Sequence, residues 1–352
     1  MTFFSTLGIE YPIIQAPMAG ISTPELAAAV SNSGALGSIG IGAASVVSAK
    51  AMIEDVQSRT DRPFNVNVFV HEAPKIDLKR ETTWLEALAP KFKAFERPAP
   101  SELATIYTSF ADDDEMLELL VSLRVPVISF HFGVPSQDKI SALRSAGSAL
   151  IASATNLAEA EAIQTAGLDA VIAQGFEAGG HRGVFDPNVP DAQLSTWVLT
   201  RLLVDRLSLP VIAAGGIMDG AGIASILALG AHGAQLGTAF VACPESNADA
   251  AYREALLSNA AEHTEMTRAI SGRPARCLRN AFTAWAADHA DLAPPDYPRA
   301  YDAGKALNGA AKQTGEFGYG AQWAGQGAPL SRTLPAADLV ETLVNELRAA
   351  RA

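Results

Sequence analysis

One histidine in this chain lies in a glycine-rich segment that directly follows a short apolar run. The run is Ala170 to Ala173, and the segment reads Gln174-Gly-Phe-Glu-Ala-Gly-Gly-His-Arg-Gly183. Because the run predicts a buried strand, we expect His181 in the turn after that strand. A neutral imidazole accepts or donates a proton near neutral pH. The segment therefore predicts a catalytic histidine, the alternative being a histidine that only caps the turn.

Two later apolar runs also end in glycines. They read Pro210-Val-Ile-Ala-Ala-Gly-Gly-Ile217 and Gly233-Ala-Gln-Leu-Gly-Thr-Ala239. Glycine lets backbone N–H groups approach an anion, and a following helix N-terminus adds partial positive charge. The two successive turns predict a phosphate-bearing cofactor, although glycines also permit tight turns without any ligand. The residues expected to hold the phosphate are Gly215, Gly216, Gln235, Gly237 and Thr238.

Several polar side chains are placed where they would surround such a cofactor. Asn67 and Gln174 are amides at predicted strand ends, where they can pair with the edge of a heterocycle such as a flavin pyrimidine, or simply close a loop. His131 follows the fourth predicted strand and can face the same pocket. These residues predict a site for a flavin and a small substrate.

A tyrosine and lysine stripe precedes the C-terminal part of the chain. Tyr297, Tyr301 and Lys305 follow i, i+4 spacing, and Pro298 suits the first turn of a helix. The spacing predicts that the three side chains share one helix face. A solvated stripe is the alternative interpretation.

The elements that must position these residues alternate between short apolar runs and amphipathic helical segments. Continuous hydrophobicity is typical of parallel strands that are buried on both faces, and eight βα units predict a TIM barrel. The open doubly wound sheet is the alternative, but its usual GxGxxG is replaced by Ala16-Pro-Met-Ala-Gly20. The predicted strands are Pro12–Ala16, Ala35–Ile39, Asn65–Phe69, Val127–Phe130, Ala149–Ala152, Ala170–Gln174, Val211–Ala214 and Ala234–Leu236.

Two stretches exceed a minimal barrel. Val70 to Val125 is long enough for two helices, one of them over Asp112–Arg124, and Cys243 to Leu330 separates the eighth strand from a last helix at Pro335–Ala352. A structureless loop of such length is improbable in a compact domain. We therefore expect a barrel formed by 1–242 and 331–352, with a smaller, mainly helical module at 243–330 over its mouth.

Composition restricts the partners. The 352 residues carry a formal net charge of −12, which argues against nucleic acid and anionic membrane surfaces as ligands. Cys243 and Cys277 are the only cysteines, and no signal-like or membrane-spanning apolar run occurs, so we expect a cytoplasmic protein. No HExxH, Walker A or GxSxG sequence is present, and no carboxylate accompanies His71, His131 and His181 at ligand spacing. No metal site is expected.

Six motifs occur in an order and spacing that resemble the nitronate monooxygenase family, formerly called 2-nitropropane dioxygenases. The resemblance extends from about Ile9 to Leu343. It implies a TIM barrel with non-covalent FMN, and oxidation of alkyl nitronates by molecular oxygen through a flavin semiquinone, giving a carbonyl compound plus nitrite or nitrate. The motifs are Gln15-Ala-Pro-Met-Ala-Gly20, Asn65-Val-Asn-Val68, Gln174-Gly-Phe-Glu-Ala-Gly-Gly-His181, Ala213-Ala-Gly-Gly216, Gln235-Leu-Gly-Thr238 and Ser271-Gly-Arg-Pro-Ala-Arg276.

The resemblance also assigns roles to individual residues. His181 matches the catalytic histidine of the family. The implied substrate residues, which resemble those of the bacterial class that prefers propionate 3-nitronate, are Tyr107, Tyr297, Tyr301 and Lys305, with His131 beside them. The implied FMN contacts are Pro17, Met18, Asn67, Gln174, Gly179, Gly180, Gly215, Gly216, Gln235, Leu236, Gly237 and Thr238.

Other functions fit parts of the same pattern. An FMN-dependent NAD(P)H:quinone or enoyl-thioester reductase would use the same glycine turns and histidine, and a non-catalytic flavin-binding sensor would need only the turns. A guanine-nucleotide-type dehydrogenase is disfavoured because the loop after the sixth strand holds no cysteine. The expected partners are a small nitronate and oxygen, and the protein is expected to be a monomer or a homodimer.

Overall fold

The computed structural model describes residues 3–352. Eight short parallel strands form one sheet, in the order β1-β9-β8-β6-β5-β4-β3-β2. Their side chains are almost all buried, as continuous apolar runs predict. The strands are β1 Ile13–Gln15, β2 Gly37–Gly40, β3 Phe64–Phe69, β4 Val127–His131, β5 Ala149–Ala154, β6 Ala170–Gln174, β8 Val211–Ala214 and β9 Gly233–Leu236.

The sheet closes on itself between β1 and the start of β2. The Leu36 N–H donates to the Ile13 carbonyl at 2.9 Å, and the Gln15 N–H donates to the Leu36 carbonyl at 2.9 Å. These bonds join the two ends of the strand order, so the fold is the predicted TIM barrel rather than an open sheet. The eight predicted strands are confirmed, with bounds that differ by no more than two residues at any end.

Helices surround the barrel, and many begin directly after a capping residue. The helices predicted over Asp112–Arg124 and Pro335–Ala352 are found at Asp114–Ser122 and Ala336–Arg351. Thr23 and Ser45 have extended backbones, and their hydroxyls accept the amides of Leu26 and Ser48. The helices are α1 Phe3–Thr6, α2 Pro24–Asn32, α3 Val46–Arg59, α4 Leu78–Ala94, α5 Asp114–Ser122, α6 Gln137–Ser145, α7 Leu157–Thr165, α8 Thr196–Arg206, α9 Gly220–Ala228, α10 Thr238–Val241, α11 Ala250–Leu256, α12 Ala281–Asp288, α13 Arg299–Gln313 and α14 Ala336–Arg351.

Residues 243–330 combine helices α11 to α13 with a small antiparallel sheet. Its strands β10 (Thr264–Thr267) and β11 (Ala275–Leu278) pair with each other, and β11 also pairs with β7 (Gly180–His181). The predicted catalytic turn is therefore a strand of this second sheet, which the sequence pattern did not indicate. The pairing fixes His181 opposite Ala275, so the inserted residues hold the histidine in place.

The two stretches that exceed a minimal barrel pack against each other. Helix α4, from the 70–125 stretch, meets α13 through a buried bidentate ion pair, with Arg299 Nε 2.6 Å and Nη2 2.7 Å from the Glu81 carboxylate. Trp84 of α4 and Leu307 of α13 also belong to one apolar cluster. Removing one partner of such a pair is strongly destabilising, so the ion pair fixes α13 against α4.

Among the helices of residues 3–352, none is long and apolar enough to cross a membrane.

Candidate active site

A cavity of about 790 Å³ opens at the carboxyl ends of the barrel strands, between the barrel and residues from 243–330. Its volume is in the range of ligand sites. All predicted site residues line it except Leu236, whose side chain is buried in the apolar cluster around Ile13 and Phe240. The lining members are Pro17, Met18, Asn67, Tyr107, His131, Gln174, Gly179, Gly180, His181, Gly215, Gly216, Gln235, Gly237, Thr238, Tyr297, Tyr301 and Lys305.

Backbone forms one side of the cavity, at the ends of β8 and β9. Gly215 and Gly216 have φ of +120° and +69°, which side-chain-bearing residues rarely adopt. A Cβ on Gly215 would lie 2.7 Å from Thr196 Oγ1. Within residues 3–352, the amides of Gly215, Gly216 and Thr238 donate no hydrogen bond. Free amides at the ends of two adjacent strands are typical of a site for a phosphate.

A buried acceptor without a partner supports the same conclusion. Gln235 Oε1 is inaccessible to solvent and has no hydrogen-bond donor among the described residues, while Gln235 itself lines the cavity. Leaving such an acceptor unpaired costs free energy, so it fits a ligand that brings a hydroxyl or an N–H group. Free amides for a phosphate together with an unpaired acceptor fit a phosphate-bearing cofactor such as FMN.

The two predicted amides are largely engaged by the protein. Gln174 Nε2 donates to the His181 carbonyl at 2.9 Å, and its Oε1 accepts the Gly183 amide at 2.7 Å. Asn67 Nδ2 donates to the Ser129 carbonyl and hydroxyl at 3.1 Å and 3.0 Å. Both side chains line the cavity, but their hydrogen bonds are made to neighbouring protein groups. Those of Gln174 fix the backbone on both sides of β7.

His181 is half-buried in an aromatic part of the cavity. Its Nε2 is 2.8 Å from the Ser271 hydroxyl, and its ring centroid is 5.1 Å from that of Trp323. Burial is the main cause that lowers the pKa of His181 to about 3, followed by the charges of His131, Arg273 and His71. The imidazole is therefore neutral at pH 7 before any ligand binds, and it is a weak base.

His131 supports the histidine turn. Its Nε2 lies 3.1 Å from the His181 carbonyl, and because a carbonyl oxygen only accepts, that nitrogen carries the proton. Burial lowers the pKa of His131 to about 4, so the imidazole is neutral and keeps this N–H at pH 7. Besides its predicted place beside the substrate, His131 therefore has a second role, since His131 and Gln174 both bind the His181 carbonyl.

Aromatic rings and one lysine form the remaining wall. The rings of Tyr297 and Tyr301 lie 5.5 Å and 6.0 Å from the His181 ring, and Lys305 Nζ lies 4.9 Å from the Tyr107 centroid. Tyr297 precedes α13, so the predicted single helix face is wrong for it. It reaches the cavity through packing rather than through i, i+4 spacing, which only Tyr301 and Lys305 share.

The protonation of this wall follows from burial. Desolvation raises the pKa of Tyr301 to about 12 and that of Tyr297 well above its usual value, so both phenols keep their protons. Tyr297 Oη is buried without a partner among the described residues. Burial lowers the pKa of Lys305, while the charge of Asp302 raises it. The wall thus offers hydroxyl donors and an amine to an incoming anion.

Sequence reasoning missed several residues around His181. The sequence marks Ser271 only as part of a motif and His71 only as a histidine without ligand partners, and it marks neither Trp323 nor Phe132. Trp323 lies in a glycine-rich segment without periodicity, so its position depends on the fold alone. Ser271 had one signal, its place in the Ser271-Gly-Arg-Pro-Ala-Arg276 motif.

Comparison with known proteins shows which family this chain belongs to. The family model for nitronate monooxygenase matches residues 2–346. A nitronate monooxygenase from Paraburkholderia phytofirmans is 58% identical over 342 residues, covering 97% of this chain and 93% of that relative. The structure of nitroalkane oxidase from Streptomyces ansochromogenes superposes with a TM-score of 0.89 at 40% identity, covering 99% of this chain and 98% of the other.

A more distant likeness is the structure of FabK from Thermotoga maritima. It has a TM-score of 0.76 and 30% identity, and covers all of this chain and 97% of the other. The likeness extends over the whole barrel and the inserted residues. With the family model and the closer relative spanning nearly every residue, this chain belongs to the nitronate monooxygenase family and is an oxidoreductase of that family.

Proposed function

We propose that this protein oxidises alkyl nitronates with molecular oxygen, using non-covalent FMN, and that it favours nitronates bearing a carboxylate such as propionate 3-nitronate. The products would be a carbonyl compound and nitrite or nitrate. The observation that carries the proposal is that the free amides of Gly215, Gly216 and Thr238 line the same cavity as the phenols, a neutral imidazole and Lys305. Such a cavity suits an anionic cofactor beside a small anionic substrate.

The glycine side is the proposed cofactor site. The amides of Gly215, Gly216 and Thr238 would bind the phosphate, and Gln235 Oε1 would accept a hydrogen bond from the cofactor. When bound, FMN supplies the redox chemistry, taking electrons from the nitronate and passing them to oxygen. The protein contributes binding, orientation and a dry environment.

The histidine fits a substrate that is already an anion. A nitronate has lost its α-proton before it binds, so its oxidation requires no strong base. His181, whose pKa is lowered to about 3, can still donate a hydrogen bond to a nitronate oxygen while Ser271 holds its Nε2. Negative charge beside an imidazole raises its pKa, so His181 gains basicity when an anion binds or when charge develops on the nitro oxygens of a neutral nitroalkane that is losing its α-proton.

The lysine and phenols would orient the substrate. Lys305 provides a cation for a substrate carboxylate, and Tyr107 lies against its ammonium group. Tyr297 and Tyr301 keep their protons and can donate to nitro oxygens. We propose that residues 243–330 form a module over a barrel of 1–242 and 331–352, closing this side against water. A cytoplasmic location suits the buried free thiols of Cys243 and Cys277.

The test is the visible spectrum of purified FMN-loaded protein mixed anaerobically with propionate 3-nitronate, without pyridine nucleotide. The bands of oxidised flavin should change, and oxygen should restore them. A spectrum that responds to NADH but not to nitronate would replace the proposal with an NAD(P)H-dependent reductase. Protein that retains no flavin band would contradict the cofactor assignment, and flavin that responds to neither reductant would favour a flavin-binding sensor.

A further inference from the structure

Arg273 is a buried cation that the proposed chemistry does not use. Its side chain is 4% exposed, and none of the ion pairs among residues 3–352 includes it. Its guanidinium donates to the carbonyls of Val184 and Phe185, while its Nε has no acceptor. Burying a charge without a counter-ion is costly. A neutral donor would satisfy the two carbonyls, so the charge itself requires an explanation.

The guanidinium is stacked on the aromatic ring that backs the catalytic histidine. Arg273 Cζ lies 4.2 Å from the Phe132 centroid, and the Phe132 ring lies 5.6 Å from that of His181. Phe132 has a φ of +76°, a strained value for a bulky residue that the surrounding packing must maintain. Because both separations share the Phe132 centroid, the charge lies within about 10 Å of the His181 ring.

The charge is present at neutral pH and acts on the cavity. Burial lowers the pKa of Arg273 to about 10, so the group stays protonated. It is among the causes that lower the pKa of His71, His131 and His181. The other charged or titratable groups that face this region are Arg182 with its partner Asp191, and Arg268, Asp186, Glu159 and Tyr297.

We propose that Arg273 sets the preference of the cavity for anionic over neutral substrates, acting across Phe132 through the field of its buried charge. The inference rests on the proposed function in taking the nitronate as substrate. Arg273 touches neither substrate nor cofactor in this role, so it is a positioning residue. A unit charge at about 10 Å and an effective dielectric constant of about 20 changes anion affinity on the order of tenfold.

Four variants separate charge from structure. Arg273→Gln retains a side-chain N–H donor without the charge, Arg273→Met fills the space without either, and Arg273→Lys retains the charge. Arg276→Gln is the matched control. Arg276 is also buried and belongs to the same motif. It donates to the Phe176 carbonyl at 2.9 Å and stacks on the Phe176 ring at 4.8 Å. Unlike Arg273, it is not among the causes that shift the pKa of His71, His131 and His181.

Three measurements follow on FMN-loaded protein. Nitrate, a planar anion, is titrated against the flavin absorption to give its Kd. Histidine pKa values are obtained by NMR, and KM is compared for ethyl nitronate and neutral nitroethane. With Arg273→Gln or Arg273→Met we expect nitrate Kd and nitronate KM to rise about tenfold, nitroethane KM to change little, and the pKa of His181 to rise by about 1. Arg273→Lys should restore wild-type values.

Specific results overturn the proposal. Equal changes for nitronate and nitroethane, the same shifts in Arg276→Gln, or failure of Arg273→Lys to restore anion affinity would show that Arg273 only anchors the loop at Val184. If neither charge-free variant folds while the lysine variant does, the role is structural and the proposal fails. Nitrate binding and histidine titration require no turnover, so wild-type protein that does not oxidise nitronates would overturn the proposed function alone.

Discussion

The two sides of the cavity are built by different means. The side at the ends of β8 and β9 is backbone, and a Cβ on Gly215 would meet Thr196 Oγ1 at 2.7 Å. The opposite side consists of side chains from distant parts of the sequence, with His181 held by Ser271 and faced by Tyr297 and Tyr301. The backbone side thus has no room for a side chain at Gly215, whereas the properties of the other side depend on the chemistry of its side chains.

The difference indicates how the two sides respond to substitution. A backbone site is intolerant of any side chain but indifferent to its chemistry, so changes there should remove the cofactor. A side-chain site tolerates substitution structurally while its chemistry changes, so changes there should alter turnover with the cofactor retained.

The largest expected effect is on turnover at the side-chain wall. His181→Asn should retain FMN and lower kcat/KM for neutral nitroethane by about 10²- to 10⁴-fold, because removal of a positioned general base costs this much. Oxidation of ethyl nitronate should fall less, since the anion needs no deprotonation. The measurement is oxygen consumption with both substrates, and exposed His232→Asn is the control. Full activity of His181→Asn on nitroethane would rule out the base role.

The next effect is on cofactor retention at the backbone side. Gly215→Ala should lose FMN during gel filtration and be destabilised by about 1 to 3 kcal/mol, because alanine at a φ of +120° is strained and its Cβ meets Thr196. Gly309→Ala in α13, where an added Cβ meets nothing within 4 Å, should instead stabilise the protein by about 0.5 to 1 kcal/mol. Undiminished flavin content in Gly215→Ala would contradict the backbone site.

The backbone side is also the part that the sequence predicts best. Apolar runs followed by glycines are local patterns, so the order of strands and the positions of Gly215, Gly216, Gly237 and Thr238 follow from neighbouring residues. The same holds for helices, whose ends are marked by caps such as Thr23. These local patterns predict the barrel, the two stretches that exceed a minimal barrel and the position of the histidine after the sixth strand. The resemblance adds the assignment of FMN.

The side-chain wall was predicted only in part, because its contacts are distant in sequence. Ser271 is 90 residues from the histidine that it bonds, and no pattern marks that pair. Tyr297 was placed on a helix that begins only at Arg299. The pairing of β7 with β11 also lacks a local signal, since β7 is a two-residue strand formed by a glycine and a histidine.

A smaller effect concerns substrate selection on the wall. Lys305→Met should raise KM for propionate 3-nitronate about 10- to 100-fold, because a charge-assisted hydrogen bond contributes about 1.5 to 3 kcal/mol. Ethyl nitronate, which lacks the carboxylate, should show a smaller increase. Lys50→Met removes an exposed lysine from α3 and serves as the control. Equal KM increases for both nitronates would exclude a carboxylate contact at Lys305.

The smallest effect is on the pH dependence of stability. It distinguishes the two sides because the histidines titrate and the glycine backbone does not. His71, His131 and His181 have pKa values lowered to about 4, 4 and 3 in the folded protein, chiefly by burial. In the unfolded chain each takes up a proton near pH 6.5. Below pH 6.5 the unfolded state therefore binds more protons, so the free energy of unfolding should decrease as pH falls from 6.5 towards 4.

The slope of the free energy of unfolding against pH reports how many of these histidines titrate on unfolding. Each buried histidine contributes at most about 1.4 kcal/mol per pH unit in this range, and nothing above pH 6.5. His71→Phe keeps a ring against Tyr297 and removes the unpaired Nδ1, so it should flatten the decrease by about that amount per unit. Urea unfolding at pH 7, 6 and 5 measures it, with exposed His232→Phe as control. If the free energy of unfolding depends on pH equally in wild type and His71→Phe, His71 titrates normally in the folded protein. Gly215→Ala alters no titratable group, so it should lower the free energy of unfolding by the same amount at all three pH values.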